Sequence, residues 1–180
     1  METPVSDKRK KHSERIEKFA NREKVRWENW KSQTYKKGVP DISKENSNLL
    51  LRYLKDMEVG INISSKSCKG SRSLRRLNNL KDRIIIFCKW FEKHYNVHDL
   101  SKLTEAEVFG LFHDIKEGVI KTKNGENYKS IDILAKAFNA FWHWHVKVSR
   151  KSGSIIDDLT QDLDAKGEKP DWVYLDEEKP

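Results

Sequence analysis

Tyr128–Val146 reads YKSIDILAKAFNAFWHWHV, and its apolar side chains recur every three or four residues. That spacing is typical of an amphipathic α-helix, because residues three and four apart share one face. We expect this helix to extend to about Ser149. Its predicted buried stripe consists of Ile131, Leu134, Ala135, Phe138, Phe141, Trp142 and His145.

Helical spacing continues along most of the 180 residues, and neither an internal repeat nor the alternation of a β-strand interrupts it. The pattern predicts further helices over residues 8–31, 43–57, 71–95 and 104–116, and a short one over 155–163. The predicted fold class is therefore all-α: a compact bundle of about five helices with an extra N-terminal amphipathic helix or arm.

Local signals mark several helix ends. Ser43 can cap the second helix, and Gly60 can end it. Thr104 and Glu107 have the spacing of a capping box, in which each side chain bonds the other residue's backbone N–H. Gly118 can close the helix that follows.

Three regions follow from these boundaries. Residues 1–42 form a basic N-terminal helical arm, residues 43–165 form a helical domain, and residues 166–180 form a linker. Trp27 and Trp30 lie on the apolar stripe of the arm. We expect them to dock the arm on the domain, although a partner protein could use them instead.

Composition excludes several classes of protein. The formal net charge is +8, the mean hydropathy is −0.85, and the longest purely apolar run is Ile84–Cys88. A membrane span needs about 20 apolar residues, and Met1–Lys11 lacks the apolar segment of a secretory signal. Cys68 and Cys88 do not make a disulfide framework. We expect a soluble cytoplasmic protein with no membrane partner.

Charge is distributed in blocks. The net charge is +6 in residues 1–37, +7 in 66–93 and +5 in 121–151, but −3 in 94–120 and −6 in 152–180. Basic blocks separated by acidic ones predict positive stripes on the surface, which suit the phosphate backbone of DNA. The alternative is a basic surface that is merely solvated.

The basic blocks over residues 66–93 and 121–151 each combine a loop with the exposed face of a helix. Lysine and arginine supply charge, serine hydroxyls and helix N-terminal N–H groups supply hydrogen bonds, and glycine allows close approach of the backbone. The residues that we predict to contact DNA are Lys66, Lys69, Arg72, Arg75, Arg76, Arg83, Lys121, Lys123, Tyr128, Lys129, Lys136, His143, Lys147 and Arg150.

Motifs for catalysis or metal binding are missing from the sequence. His143 and His145 are two residues apart on a helix and therefore point about 200° apart, too far to hold one ion. His94 and His98 have the spacing of a ligand pair but no third ligand nearby. We therefore predict no cofactor, no metal, no small-molecule substrate and no catalysis by this chain.

Four segments carry a family resemblance: Leu49–Glu58, Arg83–Phe91, Tyr128–Val146 and the exit Lys169–Leu175 (KPDWVYL). In this order they resemble the N-terminal half of archaeal tyrosine recombinases of the phage-integrase family, over about residues 48–175. The resemblance implies a helical, SAM-like core-binding domain that binds one side of duplex DNA. It also implies that a separate C-terminal domain cleaves the strand through a phosphotyrosine intermediate.

The resemblance places the start of that catalytic domain just after residues 176–178, so we expect this chain to be a fragment or truncation with no catalytic residue. The implied partners are double-stranded DNA and other recombinase protomers assembled on it. The predicted function is DNA binding during DNA integration and recombination. The alternative is a helical adaptor that binds proteins through the Trp-bearing arm and the acidic C-terminal tail.

Overall fold

The computed structural model describes residues 4–63 and 70–163, with the backbone alone for residues 4–11. Over these residues the chain contains five α-helices, one short 3₁₀ helix and no strand, which confirms the predicted all-α class. The α-helices are α1 (Pro4–Lys37), α2 (Lys44–Val59), α3 (Leu74–Tyr95), α4 (Glu105–Lys116) and α5 (Ile131–Lys151), and the 3₁₀ helix is Leu100–Lys102.

The helix ends follow the predicted signals. Ser43 accepts a hydrogen bond from the backbone N–H of Asn46 at the start of α2, and Gly60 ends α2 with a φ of 79°. Thr104 and Glu107 form the predicted capping box at the start of α4. Such a cap stabilises a helix by about 1 kcal/mol, because it pairs N–H groups that have no partner within the helix.

Phe138 of α5 lies at the centre of an aromatic core. Its ring centroid is 5.2–6.3 Å from those of five other rings, on α3, α4 and α5. These rings belong to Phe87, Phe91, Phe112, Phe141 and Trp142. α5 also buries Trp144, which is not on the predicted stripe. It therefore contacts neighbours over a wider arc than its hydrophobic pattern indicates.

The C-terminal half of α1 docks on α2 and α3. Trp27 is fully buried, and its indole N–H donates a hydrogen bond to the carboxylate of Glu58 (3.1 Å). Lys31 forms a salt bridge with the same carboxylate (2.7 Å). Trp30 is half-buried and stacks on Trp27. The predicted docking of the two tryptophans is confirmed, so the arm is in part an element of the core.

α1 runs parallel to α3. Three contacts define the register, and each joins residues that are 55 or 56 positions apart in the chain: Phe19 with Arg75, Glu23 with Asn78, and Arg26 with Asp82. Since α3 begins at Leu74, the residues of α1 before Phe19 extend past its start. We call residues 4–18 the projecting segment. Every side chain from residue 12 to residue 22 is exposed.

The short helix predicted over residues 155–163 does not form, and this prediction is wrong. Residues 154–158 have no regular secondary structure, and residues 159–162 form turns. Asp158 accepts hydrogen bonds from the backbone N–H and the hydroxyl of Thr160, a pattern that stabilises a turn instead of a helix. The carbonyl of Asp157 accepts a hydrogen bond from the indole N–H of Trp142 (3.0 Å). The segment therefore covers one side of α5.

We expect Trp27→Ala to lower the free energy of unfolding by about 3–5 kcal/mol, because it opens a cavity and removes the donor to Glu58. Val25→Ala is the control: it truncates a half-exposed side chain of the same helix and should change stability by less than about 0.5 kcal/mol. Urea denaturation measures both. A loss below about 1 kcal/mol for Trp27→Ala would contradict the docking of α1.

Stability should fall in mild acid because of His145. Burial lowers the pKa of His145, as does Arg52, while Asp99 and the Ser101 backbone oppose the shift. The unfolded chain takes up this proton near pH 6.5, whereas the folded protein takes it up only at lower pH, so stability drops as pH falls below about 6.5. We expect His145→Gln to reduce the difference in unfolding free energy between pH 7.5 and 5.5. An unchanged difference would refute this role.

Candidate nucleic-acid interface

Most of the predicted DNA-contacting residues fall into two clusters. The first, which we call the basic end, lies where α2 ends, α3 begins and α5 ends, and it contains Arg72, Arg75, Arg76, Lys147 and Arg150. The second is the α4–α5 loop (residues 117–130), with Lys121, Lys123, Tyr128 and Lys129. Lys66 and Lys69 lie outside the described residues.

A close approach of two backbones shapes the basic end. A Cβ placed on Gly60 would lie 2.4 Å from the carbonyl carbon of Gly70 and from the nitrogen of Ser71. Only glycine fits there, and its positive φ also favours glycine. The backbone N–H of Arg72 donates a hydrogen bond to the carbonyl of Met57 (2.9 Å). The last turn of α2 therefore positions the chain that leads into α3.

A buried carboxylate holds the other side of the same loop. Asp56 of α2 accepts hydrogen bonds from the indole N–H of Trp144 (2.8 Å) and from the side-chain amide of Asn62 (2.7 Å). A buried carboxylate is costly without such partners, so these bonds select one arrangement of α2, α5 and the loop. The sequence pattern did not reveal this contact, because its partners are up to 88 residues apart in the chain.

Two lysines of α5 also bond the chain that follows α2. Lys147 donates a hydrogen bond to the carbonyl of Ile63, and Lys151 donates one to the side-chain oxygen of Asn62 (2.7 Å). Lys151 was not among the predicted residues, although it follows Lys147 by one helical turn. Residues 62–63 and 70–72 are thus both fixed at the basic end.

Two arginines share a face of α3. Arg76 and Arg83 are seven residues apart, and the backbone N–H of Arg76 bonds the capping Ser73. Burial lowers the pKa of Arg83, and the positive charge of Arg76 lowers it further, while Asp82 opposes the shift. The two guanidinium groups therefore repel each other in the free protein. A phosphate bound beside them would relieve that repulsion.

The sequence predicts a column of cations on the exposed face of α5, but several of these cations are paired with other groups of the protein. Lys136 pairs with Asp132 (2.9 Å), and His143 contacts Asp158 (3.0 Å) in the segment that covers α5. Lys147 is half-buried and bonded to the loop backbone. Helical spacing placed these residues on one side of α5 but could not show which of them have partners within the fold.

The α4–α5 loop is a closed turn that presents lysines. The backbone N–H of Thr122 donates to the carbonyl of Glu126 (2.9 Å), while Lys121, Lys123 and Lys129 are exposed. The ring of Tyr128 packs edge-on against Trp90 of α3 (5.3 Å), and burial raises the pKa of its hydroxyl.

Trp90 therefore packs beneath the α4–α5 loop. Tyr128 supports the loop through its ring.

α3 joins the two clusters. Residues 76, 79, 83, 86 and 90 follow one face of the helix, and all five are at least partly exposed. Fourteen residues of α-helix separate Arg76 from Trp90, a rise of about 21 Å. That separation is shorter than one turn of duplex DNA, about 34 Å. The face of α3 between the two clusters is therefore shorter than one turn of duplex DNA.

In the part of the chain that the structure describes, little supports a metal site, a membrane-spanning helix or a catalytic site. No group of three or more His, Cys, Asp and Glu residues there could hold a metal ion, and no helix there is long and apolar enough to cross a membrane. His143, Asp158 and Thr160 meet, but the carboxylate and the hydroxyl approach the same ring nitrogen, unlike the members of a catalytic triad. Burial, together with Glu92, raises the pKa of the Cys88 thiol, which disfavours a nucleophilic thiolate.

Comparison with known proteins gives no match among protein families, curated proteins or solved structures. The resemblance to tyrosine recombinases therefore stays a prediction.

The close approach at Gly60 can be tested with a matched pair of glycines. Gly60 and Gly125 have nearly the same φ, 79° and 78°, but nothing lies within 4 Å of a Cβ on Gly125. We expect Gly125→Ala to cost about 1 kcal/mol of stability, and Gly60→Ala at least about 1 kcal/mol more, because only Gly60→Ala displaces the loop. Equal losses in urea denaturation would show that the two backbones are not in contact.

Proposed function

We propose that this chain is a duplex DNA-binding module that contacts phosphates through the basic end and the α4–α5 loop. The observation that carries the proposal is that Arg76 of the basic end and Trp90, which contacts Tyr128 of the α4–α5 loop, lie on one exposed face of α3, about 21 Å apart along the helix. A solvated basic surface does not require such an arrangement.

The chemistry of binding follows from the side chains. Exposed lysines of the loop neutralise phosphates, which supplies affinity that does not depend on base sequence and weakens with salt. In the proposed complex Arg76 and Arg83, which lie on the partly exposed face of α3, face the major groove, where arginine can bond the edge of guanine. Phosphate contacts at both ends of α3 would fix its register on the duplex.

The packing of Trp27 and Trp30 favours DNA binding over the alternative function of a protein adaptor. Trp27 is buried and bonded to Glu58, so its ring is not accessible to a partner, and Trp30 is half-buried against it. The acidic tail, which is the other half of the adaptor hypothesis, lies outside the described residues.

Within this function we propose the more specific role of a core-binding domain of a tyrosine recombinase. The support is the family resemblance of the four segments, together with an all-helical fold of the kind that the resemblance implies. In this role the chain holds DNA without catalysing a step, and strand cleavage belongs to a separate domain. Its partners are duplex DNA and other protomers on that DNA.

Fluorescence anisotropy of a labelled duplex of about 30 base pairs, titrated at several salt concentrations, tests the proposal. Arg75→Gln/Arg76→Gln removes two exposed charges of the basic end. We expect this variant to bind more weakly and to reduce the log–log salt slope by about 2, one for each phosphate that the variant no longer neutralises.

Lys44→Gln/Lys102→Gln is the matched control, because it removes two exposed charges, at the start of α2 and in the 3₁₀ helix, that belong to neither cluster. It should leave the salt slope nearly unchanged. Failure of the wild-type protein to bind at low salt, or an equal loss in both variants, would refute the proposed interface. Circular dichroism establishes that each variant remains folded.

A further inference from the structure

The projecting segment and the turn that follows it carry an ordered stripe of cations that the interface above does not use. Arg15, Lys18 and Arg22 are exposed and follow one another at intervals of three and four residues. Lys8 and Lys11 occupy the same register in the sequence. Together the five positions fall within an arc of about 80° on the helix. We call them the α1 stripe.

One aromatic ring connects the α1 stripe to the basic end. The guanidinium carbon of Arg22 lies 4.9 Å from the centroid of the Phe19 ring, and that of Arg75 lies 5.4 Å from the same centroid. Arg22 has an acidic neighbour, Glu23, at 3.7 Å, but no salt bridge of Arg75 is present among the described residues. Two arginines from different helices thus contact one surface ring, an arrangement that favours an anion beside them.

The parallel packing of α1 and α3 sets the direction of the stripe. Because Phe19 is level with Arg75, residues 4–18 lie beyond the start of α3. From Lys8 to Arg22 the helix rises about 21 Å. That length corresponds to about six base pairs of duplex DNA.

We propose that the α1 stripe is a second DNA-contacting element, which binds phosphates adjacent to those bound by the basic end. This inference rests on the proposed function and extends it to a helix that was not among the predicted contacts. The stripe lengthens the DNA footprint by about six base pairs and adds salt-dependent affinity without contacts to bases.

A second copy of this chain is the competing occupant, because Ile16 and Phe19 are partly exposed beside the stripe. DNA is favoured for two reasons. The Phe19 ring is already covered by Arg22 and Arg75. In addition, residues 4–22 contain seven Lys and Arg residues against three Asp and Glu residues, so two such helices side by side would repel each other.

The test compares two triple variants of the full chain. Arg15→Gln/Lys18→Gln/Arg22→Gln removes three charges of the α1 stripe, and glutamine preserves helix propensity. The control variant, Lys24→Gln/Lys36→Gln/Lys37→Gln, removes three exposed charges of the same helix from positions outside the stripe. Both are titrated with labelled duplexes of about 30 and about 8 base pairs at several salt concentrations.

We expect the stripe variant to reduce the salt slope on the longer duplex by about 3 and to weaken binding at least about tenfold. On the shorter duplex, which has no room for the additional footprint, the stripe variant and the wild type should differ much less. The control variant should resemble the wild type on both duplexes.

Three results would overturn the inference, each in a distinguishable way. If the stripe variant binds like the control while Arg75→Gln/Arg76→Gln binds weakly, the module contacts DNA without α1. If the wild type binds neither duplex at low salt, the proposed function fails as well. If light scattering shows a wild-type dimer that the stripe variant dissociates, α1 contacts a second copy instead of DNA.

Discussion

The side-chain amide of Asn78 donates hydrogen bonds to both the backbone carbonyl (3.0 Å) and the carboxylate (2.9 Å) of Glu23, in a place where both residues are buried. A shift of α1 along α3 by one turn would break the hydrogen bonds between Glu23 and Asn78. A carboxylate and an amide would then be buried without a partner, which lowers the stability of the fold. These two bonds therefore select the register of the helices. The same register places Trp27 against Glu58 and aligns Phe19 with Arg75.

Hydrogen bonds to a second buried carboxylate join α2, α5 and the loop that follows α2. Asp56 joins α2 to Trp144 of α5 and to Asn62 of the loop, while Gly60 lets the returning chain pass over the end of α2. Aromatic packing around Phe138 supplies the apolar burial that holds α3, α4 and α5 together. The cations of the basic end on α3 and α5 are consequently held by packed helices, which suits a phosphate-binding surface.

Much of this arrangement could be predicted from the sequence, because helices and their caps depend on neighbours within a few residues. Ser43, Gly60 and the Thr104 capping box are local signals of this kind. Contacts distant in the chain could not be predicted. Periodicity placed His143 and Lys147 on an exposed face, but their partners come from residues 158 and 63. Residues 155–163 likewise have the hydrophobic spacing of a helix, but the hydrogen bond between Thr160 and Asp158 stabilises a turn there instead.

Nuclear magnetic resonance titration of the ¹⁵N-labelled protein with a short duplex tests the central claim most directly, since it locates the bound surface residue by residue. If the cation clusters at the two ends of α3 bind one duplex, the largest amide shift changes will fall in residues 70–83 and 121–129, and α4 will remain unperturbed. Changes concentrated on α4, or none at low salt, would contradict it.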